Sequence, residues 1–162
     1  MQGDVSLAID PGYDRLGAAV FKGTTLLYSE CFTPKKGEVS DRLLSVFERV
    51  RSLIQEHSPS TLALETLFFS KNQKTAMHVA EARGAIIVAA KSEGLEVVEY
   101  SPQAIKIAVT GSGNAQKDAV IRMVDRLIKL PVRKRLDDEY DAIALGICHT
   151  VRNPQREHLR SK

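Results

Sequence analysis

Four acidic residues in three separate segments have the types and the spacing to hold a divalent cation. Asp10 and Glu65 each directly follow an apolar run. Asp138 and Asp141 lie three residues apart at the start of a segment with helical periodicity, so both carboxylates project from one side of that helix. Asp137, four residues before Asp141, is also within reach.

The chemistry of these acids depends on whether they meet. Converging carboxylates repel one another, which raises their pKa values and destabilises the fold unless a cation neutralises them. Hard oxygen ligands suit Mg²⁺ or Mn²⁺, not zinc. Two such ions about 3.5–4 Å apart would polarise a scissile phosphate, activate a water and stabilise the leaving 3′ oxygen. The acids therefore predict metal-dependent phosphodiester hydrolysis. The alternatives are a turn-initiating Asp10 before Pro11-Gly12, an ion-paired Glu65 and helix-capping acids at 137–141.

The elements that must position these acids are predicted by apolar periodicity and turn signals. Three closely spaced strands leave no room for crossover helices, which predicts an antiparallel meander. Helices and strands then alternate, which predicts an α/β fold with a five-stranded mixed sheet flanked by helices. Asp10 and Glu65 then lie at the carboxyl ends of strands, where open α/β sheets bind ligands. The predicted strands are Val5–Asp10, Leu16–Phe21, Thr25–Phe32, Thr61–Glu65 and Glu96–Tyr100. The predicted helices are Ser40–His57, Thr75–Ser92, one capped by Ser101, Ala115–Lys129 and one that is capped by Asp137 or a residue near it and ends at about Val151.

Composition narrows the class of protein. The length of 162 residues suits one domain, and 43% hydrophobic with 27% charged residues excludes a disordered chain. We expect a domain over residues 1–152 and a polar, disordered tail over 153–162. Cys31 and Cys148 lack metal-ligand spacing, and the sequence has neither a long apolar run nor a signal-peptide pattern, so we expect a cytoplasmic protein. Residues 100–162 carry a net charge of +5 within a total of +3, a bias that favours a polyanionic partner such as nucleic acid.

The ordered set of motifs resembles the RuvC Holliday-junction resolvases, a branch of the RNase H-like superfamily. The resemblance covers about residues 5–151 and implies an RNase H-like fold. By resemblance, Asp10, Glu65, Asp138 and Asp141 take the catalytic, metal-binding positions, and the family's spacing of three selects Asp138 over Asp137. It also implies two Mg²⁺ ions per active site, with Mn²⁺ able to substitute. The matching stretches are Ala8–Gly12, Ala63–Asn72, Ala82–Ala90 and Asp138–Ala144.

The same resemblance implies partners and DNA contacts. It implies a homodimer that cuts a four-way DNA junction by paired symmetric nicks in recombination and repair, leaving 5′-phosphate and 3′-hydroxyl ends. It also implies cooperation with the RuvA–RuvB branch-migration complex. Phe68 matches an aromatic that contacts unpaired bases, and Lys106 and Lys117 match basic DNA-contacting positions. Further candidates for contacts to the phosphate backbone are Lys71, Arg133, Lys134 and Arg135.

Three alternative functions stay open on the sequence alone. One is another RNase H-like nuclease, either a hybrid-cleaving ribonuclease or a member of the YqgF family. The second is an actin-like kinase or ATPase, which needs a second phosphate loop and a longer chain. The third is a structure-selective DNA-binding module with an inactive site.

Overall fold

The fold confirms the predicted succession of strands and helices. The computed structural model describes residues 4–67 and 73–153. In chain order the elements are β1 (Val5–Asp10), β2 (Leu16–Lys22), β3 (Thr25–Phe32), α1 (Val39–His57), β4 (Thr61–Glu65), α2 (Gln73–Ser92), β5 (Glu96–Tyr100), α3 (Pro102–Thr110), α4 (Lys117–Leu127) and α5 (Asp137–Arg152). The antiparallel pairs β1–β2 and β2–β3 form the meander, and β1–β4 and β4–β5 pair in parallel, giving the sheet order β3-β2-β1-β4-β5.

The central strands are buried on both faces, and each face carries its own core. Successive strand residues point to opposite faces. Leu7 and Ile9 of β1 therefore pack with the buried faces of α1 and α2, whereas Ala8 packs with α3, α4 and α5. Asp10 has the parity of Ala8, and Glu65 has the parity of Ala63, which also lies on the α5 side. Both carboxylates are therefore directed to the face that α5 covers.

Small residues bring α5 close to this face of the sheet. Ala8, Ala19 and Ala63 are buried beneath it. On β2, a Cβ added to Gly17 would lie 1.8 Å from the Asp138 carbonyl oxygen. On α5, a Cβ added to Gly146 would lie 2.2 Å from the Phe21 ring. The α5 backbone thus lies closer to the sheet than it could if Gly17 and Gly146 carried side chains. This close packing places the amino end of α5 beside the end of β1.

Helix ends show where the sequence prediction was less accurate. Ser101 caps α3 as predicted, because its hydroxyl accepts a hydrogen bond from the Ala104 amide at 3.1 Å. The next helix was predicted to begin at Ala115, but Gln116 is extended and α4 begins at Lys117. Leu136 is the N-cap of α5 and makes no side-chain capping bond, so the acids that follow it lie inside the helix.

Within the described residues, no helix has the length and apolar character needed to cross a membrane.

Candidate active site

Asp10 and Glu65 end two neighbouring parallel strands. Ile9 pairs with Leu64 across the β1–β4 ladder, so the two acids that follow lie side by side at the carboxyl edge of the sheet. Both side chains are half-buried. The sequence prediction that they share one edge is therefore confirmed.

The amino end of α5 adds two more acids to this edge. Burial, together with the negative charges of Asp141, Glu65 and Asp138, raises the pKa of Asp10 to about 8. Burial, followed by the charge of Asp141, also raises the pKa of Glu65. The four acids named from the sequence therefore act electrostatically on one another. Asp138, and not Asp137, is among the acids that raise the pKa of Asp10.

Two basic side chains neutralise part of this acidic group. Arg15, in the turn between β1 and β2, donates from Nε to Asp138 Oδ2 at 2.9 Å. Lys117 Nζ lies 3.1 Å from Asp137 Oδ2 and 3.5 Å from Asp141 Oδ2. These ion pairs hold the carboxylates of α5 toward the Arg15 and Lys117 side chains. In residues 4–67 and 73–153, no three acidic, histidine or cysteine side chains are close enough to form a metal site.

The donor set nevertheless suits a hard divalent cation. All four candidate ligands are carboxylates, the oxygen donors that Mg²⁺ and Mn²⁺ prefer. Asp10 holds a proton up to about pH 8 because its charge is both desolvated and repelled. A divalent cation would relieve both costs at once, so Asp10, Glu65, Asp138 and Asp141 fit such an ion.

Two clefts meet at Glu65. One, of about 350 Å³, has an apolar floor from α3, α4 and α5, and Lys106, Lys117 and Asp141 line it. The other runs along Asp10, Glu65 and Arg83. The charge of Lys106 acts on Glu65 and lowers its pKa against the effect of burial. The two lysines named from the sequence therefore border the acids, where a phosphate would meet positive charge.

Two other predicted DNA contacts, Phe68 and Lys71, lie outside the described residues. They follow β4 by a few positions in the chain and precede α2. Both stay predictions from the sequence.

The basic segment before α5 differs from the sequence expectation. Arg133 donates to both carboxylate oxygens of Glu139 and to the Ser29 carbonyl oxygen. The Arg135 side chain is only 3% exposed, with Nε 3.4 Å from Glu139 Oε1. Ser29 donates to the same carboxylate at 2.6 Å. Arg135 is thus part of the protein interior and not a surface DNA contact, because a buried Glu139 requires neutralising partners.

The turn after Asp10 is held by an aromatic stack. The centroid of the Tyr13 ring lies 4.4 Å from the centroid of the His78 ring of α2. The guanidinium carbon of Arg42, on α1, lies 4.5 Å from the same Tyr13 centroid. Arg42 also donates to the Tyr13 carbonyl oxygen at 2.6 Å. The turn that carries Arg15 is therefore fixed to both helices.

Sequence reasoning missed Arg15 and Gly17. Both lie a few residues after Asp10, and antiparallel pairing places Gly17 directly opposite Asp10. The predicted meander was a sufficient signal for the proximity of Gly17 to Asp10. The contact of either residue with α5 required the three-dimensional packing.

Comparison with known proteins identifies the family. The family model described as crossover junction endodeoxyribonuclease RuvC matches residues 6–149. The chain belongs to the RuvC family. The RuvC of Moorella thermoacetica is 41% identical over 156 residues, covering 93% of each protein. The RuvC of Petrotoga mobilis is 41% identical over 150 residues, covering 90% of this chain and 92% of the relative.

Solved structures agree in fold. Thermus thermophilus RuvC in complex with Holliday junction substrate superposes with a TM-score of 0.82 at 32% identity, over 90% of this chain and 92% of that one. The yeast mitochondrial Holliday junction resolvase Ydc2 gives a TM-score of 0.71 at 11% identity, which supports the fold alone. The RNase H-like fold expected from the sequence is confirmed.

Proposed function

We propose that this protein resolves four-way (Holliday) DNA junctions by paired symmetric nicks, through Mg²⁺-dependent phosphodiester hydrolysis that leaves 5′-phosphate and 3′-hydroxyl ends. The observation that carries the proposal is electrostatic: burial and the charges of Glu65, Asp138 and Asp141 raise the pKa of Asp10 to about 8, so acids from β1, β4 and α5 act on one another at one sheet edge. The family match favours this function over the hybrid-cleaving and kinase alternatives.

The proposed site assigns distinct tasks to its residues. Asp10, Glu65, Asp138 and Asp141 would hold the metal, which when bound supplies an activated water and stabilises charge on the leaving oxygen. Asp10 and Glu65 are fixed by strand pairing, so they form the rigid half of the site. Asp138 and Asp141 form the half whose position depends on how closely α5 packs against the sheet.

Lys106 and Lys117 supply the positive charge around the acids. Both line the cleft beside Glu65 and Asp141, where a backbone phosphate would lie within reach of the site. Lys117 is paired with acids of α5 in the protein alone, so it would exchange those partners for phosphate when DNA binds. Such contacts are independent of sequence and are weakened by salt.

The remaining parts of the proposal rest on the family and the sequence. Phe68 would stack on an unpaired base near the crossover, a contact worth about 1–3 kcal/mol, and Lys71 would contact backbone phosphate. A two-fold homodimer presents two equivalent sites to a junction with approximate two-fold symmetry. Residues 1–152 would form the nuclease domain and 153–162 a polar tail. The protein would act in the bacterial cytoplasm, in recombination and repair, with the RuvA–RuvB complex.

Replacing one metal-binding carboxylate tests the proposal. The variant Asp138→Asn keeps the shape of the side chain and removes its charge. We expect it to bind a synthetic four-way junction with wild-type affinity and to cleave it at least about 100-fold more slowly in Mg²⁺, because the metal loses a ligand. Binding is measured by gel shift in Ca²⁺ and cleavage under single-turnover conditions.

A matched control and two further substrates sharpen the test. Asp41→Asn removes an exposed acid from the first turn of α1 and should cleave at the wild-type rate. Linear duplex and an RNA–DNA hybrid should be cut poorly. Unchanged cleavage by Asp138→Asn would falsify the site assignment, and a preference for the hybrid would overturn the substrate assignment.

A further inference from the structure

Arg15 forms an ion pair inside the proposed metal site. Its Nε lies 2.9 Å from Asp138 Oδ2, and the side chains of Arg15 and Asp138 are 46% and 21% exposed. The turn that carries Arg15 is anchored through Tyr13 to α1 and α2, so the guanidinium is presented to α5 from a fixed backbone.

We propose that Arg15 is a positioning residue that serves as the counter-ion of Asp138 in the metal-free protein and competes with the divalent cation for that carboxylate. The proposal deepens the proposed function and rests on Asp138 being a metal ligand. The metal ion and the guanidinium seek the same carboxylate oxygens. Each binding event must therefore release Arg15 from Asp138.

The geometry explains why such a counter-ion is useful here. Asp138 is one of three acids whose charges raise the pKa of the half-buried Asp10. A guanidinium on Asp138 lowers the repulsion within the group while no metal is bound. The Arg15–Asp138 pair is partly exposed, so solvent screens its attraction. A metal ion can therefore displace the Arg15 guanidinium from Asp138 at a modest cost in free energy.

The competition predicts a change in metal affinity without any change in the ligand set. We expect Arg15→Gln to bind Mn²⁺ about two- to fivefold more tightly by isothermal titration without DNA, a range typical of a partly exposed ion pair. Arg15→Lys keeps the positive charge and should restore an affinity near that of the wild type. In cleavage assays, the half-saturating Mg²⁺ concentration should fall in Arg15→Gln by the same factor.

The chain offers a closely matched control. Arg51 pairs with Glu93 at 2.7 Å, and their side chains are 44% and 23% exposed, but the pair joins α1 to residue 93 after α2, away from the acids. Arg51→Gln should leave Mn²⁺ affinity unchanged, so a general effect of losing an ion pair is separated from competition at the site.

The outcomes separate this proposal from the proposed function. If Arg15→Gln binds Mn²⁺ no more tightly than the wild type while Asp138→Asn loses affinity, the counter-ion role is overturned and the metal site stands. If Asp138→Asn binds Mn²⁺ as the wild type does, Asp138 is not a ligand and the proposed metal site is overturned with it.

Discussion

A single methyl group on Gly17 should separate α5 from the sheet and disable the site. A Cβ at this position would lie 1.8 Å from the Asp138 carbonyl oxygen, 2.5 Å from its carbonyl carbon and 3.2 Å from the Ala142 Cβ. Ordinary contact begins at 3.4 Å, so the closest pair must open by about 1.6 Å. The obstacle is helix backbone, which cannot rotate away as a side chain would.

The expected size follows from this displacement. Overpacking of this kind costs about 1–3 kcal/mol of unfolding free energy, and for a chain of this length each kcal/mol lowers Tm by about 2–4 °C. We therefore expect Gly17→Ala to melt roughly 2–12 °C below the wild type. Moving catalytic groups by about 1 Å can cost 100-fold in rate, so single-turnover junction cleavage should fall by at least that factor.

Differential scanning fluorimetry and the junction cleavage assay measure the two effects. Gly84→Ala is the matched control, because Gly84 is exposed on α2 and an added Cβ meets nothing within 4 Å. That variant should gain roughly 0.5–1 kcal/mol from helix propensity. Wild-type melting and wild-type cleavage in Gly17→Ala would refute the argument that the contact between β2 and α5 sets the position of the acids.

Two further predictions concern the buried carboxyl groups. Folded Asp10 holds its proton up to about pH 8, whereas the unfolded residue loses it near 3.8, so the folded state binds more protons in between. Stability of the metal-free protein should therefore fall as pH rises from about 4 to about 8, and Asp10→Asn should reduce this slope in urea unfolding; equal slopes would contradict the assignment. Glu139→Ala leaves the buried Arg135 without its carboxylate and should lower the free energy of unfolding in urea by about 3 kcal/mol. The control Glu48→Ala removes an exposed carboxylate and should lower it by less than about 0.5 kcal/mol. A decrease below about 1 kcal/mol for Glu139→Ala would show that the ion cluster is unimportant for stability.

The sheet edge of the candidate site was predictable because strand periodicity is local. Asp10 and Glu65 each end an apolar run, and each follows a small residue of the same parity, Ala8 and Ala63. Parity places each carboxylate on the face of its own alanine, and the pairing of Ala8 with Ala63 across β1 and β4 makes these the same face. The strands β3, β4 and β5 also begin and end at the residues predicted from the sequence.

The contacts of α5 with other elements could not be read from the sequence. The interior position of Arg135 depends on a contact between Glu139 and β3, more than 100 residues earlier in the chain. In the sequence, Arg133 and Arg135 look like surface charges because Lys134 lies between them and a run of acids begins at Asp137. Long-range ion pairs leave no periodic signal, so side-chain packing alone shows which basic residues remain available to DNA.

The contacts of Tyr13 restrain the turn that carries Arg15. Surface turns are ordinarily the most mobile parts of a fold. Here Arg42 of α1 and His78 of α2 both contact the Tyr13 ring. The backbone between β1 and β2 is therefore tied to the two helices that pack on that face of the sheet. The acids thus face a short connection that is held like part of the core, and this would keep the Arg15 guanidinium within reach of Asp138 whenever the proposed metal site is empty.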